Sequence, residues 1–161
     1  MITHGRSKCA NFFINNTDHE YLFFLDSDIG FNPEDVLRLL SHNENIVSGT
    51  YPMKTIPIRY CVDVLQPEER KGDLLKVGGN GMGFVMIRRN VFADIAQKFP
   101  YLKYIPSTKD SNYPPTEAEM NNSYHYFAEE KIDDSFASED KSFFYRARMS
   151  GYTHWLDTTI K

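Results

Sequence analysis

The run Tyr21–Leu25, "YLFFL", passes directly into Asp26-Ser27-Asp28 and then, after Gly30, into Asn32-Pro33-Glu34-Asp35. A buried strand, an acidic turn and a helix start are thus packed into one short stretch. Asn32 is a natural N-cap, Pro33 fits the first helical position, and Glu34 and Asp35 suit the positive end of the helix dipole. Val36, Leu39 and Leu40 supply that helix with an apolar stripe. A chain built on such a unit must lay helices against a sheet.

The remaining pattern repeats the theme. Residues 5–17 can form a helix with Cys9, Phe12 and Phe13 on one side. "NIVSGTY" (45–51) reads as a second buried strand, "IRYCVDVL" (58–65) as a strand of mixed face, and 74–77 as a short strand after the charged turn "QPEERKGD". Gly78, Gly79, Gly81 and Gly83 suggest a glycine-rich turn into a strand at 84–88, with Asn90 capping a helix that ends near Phe99. The segment 100–123, centred on "NYPP", reads as a long functional loop. "YHYF", the acidic turn "EEKIDD", a helix capped by Ser138 and ended by Gly151, and the strand "THWLD" complete the chain. Strands alternating with helices predict a single α/β domain with a mainly parallel, Rossmann-like mixed sheet.

Composition narrows the function. With 161 residues the chain has enough for one core. A net charge of −4 without a Lys/Arg cluster argues against a nucleic-acid partner. Aromatic residues make up 14%, mostly Phe and Tyr, which suits buried sheets and surfaces that stack on sugars or bases. Cys9 and Cys61 form no metal spacing and no disulfide framework, and are expected to be free, buried thiols. No stretch approaches a membrane span and no leader pattern opens the chain, which points to a soluble cytoplasmic protein.

The residues that carry chemistry are mostly acidic. Asp26 and Asp28 lie at the carboxyl end of a strand, where α/β sheets bind ligands. Two readings are open: a turn whose carboxylates cap local N–H groups, or a site for a hard cation such as Mg²⁺ or Mn²⁺ that relieves the like charges. Glu139 and Asp140 follow Ser138 in a first helical turn, which capping alone can explain. The glycines lack the Lys-Ser/Thr of a phosphate loop. His154 reads as a core or surface histidine.

The order "FLDSDIGFNPEDVLRLL", "IVSGTYPMK", "GGNGMGFVMIRRNVF" and "YHYF…SEDKSFFYRARMSGYTHWLD" resembles the nucleotide-sugar glycosyltransferases of the A-type fold, in the soluble form found in viruses, phages and bacteria. The resemblance runs from about residue 6 to the end. It implies that Asp28, with Asp26, holds Mn²⁺ or Mg²⁺, and that the metal holds the diphosphate of a nucleotide-sugar donor. It implies further that Asp26, Ser27 and Lys54 lie on the donor side and that Gly81, Met82 and Gly83 line the sugar and acceptor region. Glu139 and Asp140 match the family's acidic pair, whose Asp is the general base for a glycan or other hydroxyl acceptor in inverting members.

Two departures from that family stand out: neither its opening nucleotide-binding strand nor its late metal-binding His has a counterpart here. They imply a domain short at both ends, weak transfer, and an open strand edge able to self-associate. Two other readings compete: a truncated, inactive relative that binds nucleotide sugar or metal, and a phosphatase of the D-x-D type. Ile29-Gly30-Phe31 after Asp28 disagrees with the latter.

Overall fold

The computed structural model describes residues 2–108 and 114–160. Its elements, in chain order, are α1 (Ile2–Asn16), β1 (Tyr21–Leu25), α2 (Pro33–Ser41), β2 (Ile46–Ser48), β3 (Val62–Val64), β4 (Arg70–Lys71) and β5 (Leu74–Asn80). There follow β6 (Phe84–Arg88), α3 (Arg89–Lys98), β7 (Lys103–Tyr104), α4 (Glu117–Asn121), β8 (Ser123–Tyr124), β9 (Glu130–Ile132), β10 (Ser135–Ala137), α5 (Glu139–Met149) and β11 (His154–Asp157).

The main sheet has seven strands in the order β1-β6-β2-β11-β5-β3, with β4 also on β5. It is mixed and mostly antiparallel, which corrects the expectation of a mainly parallel sheet. Among the described residues only β2 and β11 pair in parallel; β1–β6, β2–β6, β11–β5, β3–β5 and β4–β5 are all antiparallel. The pairings show why the alternation misled. β1 and β2 do run the same way across the crossover helix α2, but β6 is inserted between them in the opposite direction. A sequence records the crossover and says nothing about which later strand fills the gap.

Side chains alternate across the sheet as the pleat requires. Phe24, Val85, Ile87 and Ile46 face a core shared with α1, α3 and α5, through Phe13, Phe92, Ile95, Phe143 and Phe144. Phe23, Phe84, Met86 and Val47 face the other way, toward Leu39 of α2, Leu74 and Ile160. Both faces are covered, so the strands read as unbroken apolar runs.

Several local expectations are corrected. The buried stripe of α1 is Ser7, Ala10, Asn11 and Phe13, with Ile14 packed beside it; of the expected side only Phe13 is buried, whereas Cys9 and Phe12 are exposed. Ser7 and Asn11 are polar because they satisfy backbone: Phe127 N donates to Ser7 Oγ (3.3 Å), and Asn11 exchanges two bonds with Tyr124 (2.9 and 3.0 Å). Cys61 is likewise free but exposed. Leu40 of α2 is exposed, and Leu39 alone of its expected stripe is fully buried. Gly78 and Gly79 belong to β5, so only residues 81–83 form the turn. Asn90 lies inside α3 and binds Asn45 Oδ1, while Arg88 holds the N-cap position. "EEKIDD" is most of a hairpin, β9–β10, turning at Asp133 with φ of 55°. The 100–123 segment carries a 3-10 turn (Pro100–Leu102), β7 and α4, with β7 paired to β8; "NYPP" falls partly outside the described residues.

Arginines fasten the helices. Arg89 donates to Phe13 O, Ile14 O and Thr17 O at 2.7–3.1 Å, satisfying carbonyls that the end of α1 leaves free. Arg146, almost wholly buried, donates to Tyr126 O and Ala128 O and pairs with Glu130, fixing 126–130 onto α5. α2 is tied to β11 by Asp157, whose buried carboxylate accepts from Arg38 Nε (2.6 Å), His42 (2.7 Å) and Thr159.

Two buried groups make stability fall in acid. Burial works to raise the Asp157 pKa, but the bonds from Thr159, His42 and Arg38 outweigh it and hold the carboxyl at about 2. The stability it supplies, roughly 2 kcal/mol, is present above pH ~4 and lost as pH falls toward 2. His154 is buried against Phe144 with its Nε2 on Ser48 Oγ, and burial lowers its pKa to about 3. It stays neutral in the fold while the unfolded chain takes up a proton below pH ~6.5, so stability declines from there toward pH 3. His154→Gln, measured by urea denaturation at pH 7 and pH 4.5, should flatten that decline by up to about 1.4 kcal/mol per pH unit; an unchanged slope would exclude His154 as its source.

Candidate functional site

β1 continues one hydrogen bond beyond its last residue, Asp26 N donating to Gly83 O at 3.0 Å. The chain then turns, with Ile29 N on Asp26 O, and enters α2 at Asn32, whose N–H donates to Asp35. The acidic turn therefore sits directly on the glycine turn between β5 and β6. The glycines are required by contact. A Cβ on Gly81 would lie 2.2 Å from the Tyr51 hydroxyl, and one on Gly83 would meet Ile29, Asp26 and Tyr51 at 2.5–2.9 Å. Gly83 N donates to the Tyr51 oxygen (3.0 Å). Burial raises the Tyr51 pKa against the opposing pull of that N–H, keeping the phenol protonated. Met82, between these glycines, is buried in the main core and does not line the open surface.

Arg6, which sequence reasoning did not single out, joins the two acidic motifs. Its Nη2 reaches both oxygens of Asp26 (3.1 and 3.3 Å) and its Nη1 reaches Glu139 Oε1 (3.0 Å). The guanidinium is largely enclosed, and the planar fork suits two carboxylates at once. Its only signal in the sequence was a cation directly before the first buried residue of α1, with Lys8 close by, which is not distinguishable from a surface arginine. Asp28 is exposed and pairs with exposed Lys54 at 2.7 Å; hydrogen bonding to and the charge of Lys54 lower the Asp28 pKa. Such a pair is weak and easily exchanged for another cation.

Asp140 stands on the far side of Glu139, at the start of α5. Ser138 has N-cap geometry, and the Asp140 carboxylate accepts from Ser138 Oγ and from Lys141 N. This is local capping, and it leaves Asp140 on the wall of a cleft formed with β3, β5 and the β9–β10 hairpin. The cleft adjoins the glycine turn, since Gly81 N donates to Cys61 O. The structure thus joins Asp26 to Glu139 through Arg6, over the buried glycine turn, with the Lys54–Asp28 pair two residues further along the acidic turn and Asp140 next to Glu139.

A metal must be judged against this donor set. Among the described residues no group of three or more His, Cys, Asp and Glu is placed to hold an ion. Two carboxylates would suffice for Mg²⁺ or Mn²⁺ only if phosphate oxygens and water complete the shell. The charges fit that case. Asp26, Asp28 and Glu139 against Arg6 and Lys54 leave an excess negative charge, so an incoming diphosphate needs a cation of its own.

Comparison with known proteins adds one finding. No protein-family model matches the chain, and no curated protein does. The solved structure of A197 from STIV superposes with a TM-score of 0.54 at 19% sequence identity, covering 100% of this chain and 65% of that one. The likeness concerns the fold, and this chain spans under two thirds of A197. Among the described residues no helix is long and apolar enough to cross a membrane.

Removing the Arg6 guanidinium should expose how much the site depends on it. Arg6→Ala leaves two carboxylates facing each other without a donor, and should cost roughly 1–3 kcal/mol of stability at neutral pH. Asp26→Asn combined with Glu139→Gln in the same background should return much of that loss. Thermal denaturation of the variants would check it, and full stability in Arg6→Ala alone would mean the bridge is incidental.

Proposed function

We propose that this chain is a nucleotide-sugar glycosyltransferase domain of the A-type fold, transferring a sugar from its nucleotide donor to an acceptor hydroxyl. The observation that carries the reading is the Asp26–Arg6–Glu139 bridge. It draws together the two acidic motifs, more than a hundred residues apart in sequence, beside the glycine turn. The fold likeness to A197 from STIV is compatible with this reading and supplies no activity.

In this mechanism Asp28, with Asp26 next to it, would hold Mn²⁺ or Mg²⁺ after exchange with Lys54. The ion's contribution would be to stabilise the charge that develops on the leaving diphosphate. Arg6 keeps Asp26 and Glu139 at fixed separation. Gly81 and Gly83 leave room for Tyr51, Ile29 and Asp26 to pack against their backbone, which seats the acidic turn. The acceptor oxygen forms the new glycosidic bond as the bond from the anomeric carbon to the diphosphate breaks. Its proton passes to the Asp140 carboxylate, and the nucleoside diphosphate departs. Tyr51, protonated, stays a neutral neighbour throughout.

A second reading has an observation of its own. Both carboxylates of the acidic turn already have a cation from the chain, Arg6 for Asp26 and Lys54 for Asp28. A relative that binds nucleotide sugar or metal without turnover would look the same. Calorimetry separates the cases at the binding step. Mn²⁺ should strengthen binding of UDP or GDP to the native chain and not to Asp28→Asn; equal metal-dependent affinity in both would remove Asp28 from the site.

Turnover is tested at Asp140. In an active form of the protein, Asp140→Asn should lower kcat by roughly 10²–10⁴-fold with donor affinity little changed. Unchanged turnover would sink the base assignment, and loss of folding would assign the residue to capping.

A further inference from the structure

The cleft beside Asp140 has a volume of about 500 Å³, within the range of small-molecule sites. Its lining mixes two chemistries. Tyr60, Phe136 and Tyr145 supply aromatic rings, and Asp63, Asp140 and Arg148 supply charged hydrogen-bonding groups. Phe136 projects from β10 with 83% of its surface exposed. A Phe this open is normally buried, and here it stands at the rim of a concave site instead of in a core. On α5, Lys141, Tyr145 and Arg148 recur at the spacing that places side chains on one helical face, and the Arg148 guanidinium lies 5.8 Å from the Tyr145 ring centre. The Asp63 carboxylate lies over Gly78, where a Cβ would come within 2.2 Å of it, so β5 keeps its backbone bare on this side.

We infer that this cleft is a carbohydrate site and that the acceptor is a glycan. A sugar ring presents C–H groups on its faces, which are attracted to the negative face of an aromatic ring. Around its edge it presents hydroxyls, which donate to carboxylates and accept from Lys and Arg. The lining answers both demands. It answers other ligands poorly. The carboxylates of Asp63, Asp133 and Asp140 outnumber the cations of Lys141 and Arg148, which opposes a nucleic acid, or a polyphosphate that brings no metal cation. The same carboxylates would be stripped of water by a lipid chain at high cost. A glycan hydroxyl seated here lies against Asp140, the group to which the proposed transfer sends its proton. The assignment of the glycan as acceptor rests on that transferase reading, while the carbohydrate site itself does not.

Saturation-transfer NMR on the full chain tests it with cellotriose, maltotriose and N,N′,N″-triacetylchitotriose as probes, and a serine-rich peptide as the competing class. At least one trisaccharide should receive saturation, strongest at ring C–H protons. Phe136→Ala, at an exposed position, should weaken its binding roughly three- to tenfold, and Asp63→Asn should weaken it as well. No transfer to any of the three sugars would overturn the inference. So would sugar binding indifferent to Phe136→Ala, or a peptide signal lost in that variant while the sugars stay silent. Titration of UDP and GDP with Mn²⁺ into the same samples keeps the two ideas apart. Sugars bound without either nucleotide support the cleft and sink the donor reading; nucleotide bound without any sugar does the reverse.

Discussion

The structure depends on β6 being laid between β1 and β2. Its five residues pair with β1 on one side while β2 pairs on the other, so β6 is hydrogen-bonded along both edges and buried on both faces. That placement puts Gly83, just before β6, opposite Asp26, just after β1. The hydrogen bond between them ties the acidic turn to the glycine turn. Had β2 paired directly with β1, as an all-parallel βαβ unit would, the two turns would not meet.

The candidate site is then held from outside the sheet by α1. Its C-terminal end is anchored by Arg89, its middle by Ser7 and Asn11 on the 124–127 backbone, and its beginning by Arg6 on Asp26 and Glu139. Side chains that satisfy backbone or carboxylate groups do the positioning, and the apolar contacts of Ala10 and Phe13 supply the burial. Because unpaired polar groups in such places are costly, these bonds select one rotation of the helix and with it one position for the guanidinium. The energetic gain of any single bond is small, but together they choose between alternatives that burial alone would leave nearly equal.

Much of the local structure was legible in the chain. β1, the Asn32-Pro33 start of α2, the strand at 84–88, the Ser138 start and Gly151 end of α5, and β11 are where apolar runs and capping residues place them. The burial of His154 was open between core and surface, and stacking on Phe144 decided it. Other elements were misjudged. The buried face of α1 contains Ser7 and Asn11, so its hydrophobic pattern pointed to Cys9 and Phe12 instead. Gly78 and Gly79 extend a strand because the neighbouring Asp63 and Phe144 occupy the space a Cβ would need. The acidic stretch 129–134 forms a hairpin because Asp133 accepts a left-handed turn. In the first two cases a partner distant in sequence reversed a local preference; in the third the cause is local, a left-handed residue that closes a tight hairpin.

By itself the sequence determined where the main strands β1, β6 and β11 and the helices α2 and α5 lie, that helices pack against a sheet, and that carboxylates end β1 and begin α5. Those follow from periodicity and capping, which act over a few residues. Only the tertiary structure decided that the sheet is mostly antiparallel, that Arg6 spans Asp26 and Glu139, and that Lys54 stands on Asp28. It also decided that Phe136 and Asp140 share a cleft. These are contacts between residues far apart in the chain, and their geometry is set by which strand fills which gap and how each helix is rotated. No local pattern records either, because both are settled by competition among whole-chain arrangements that bury similar apolar area and differ in which polar groups find partners.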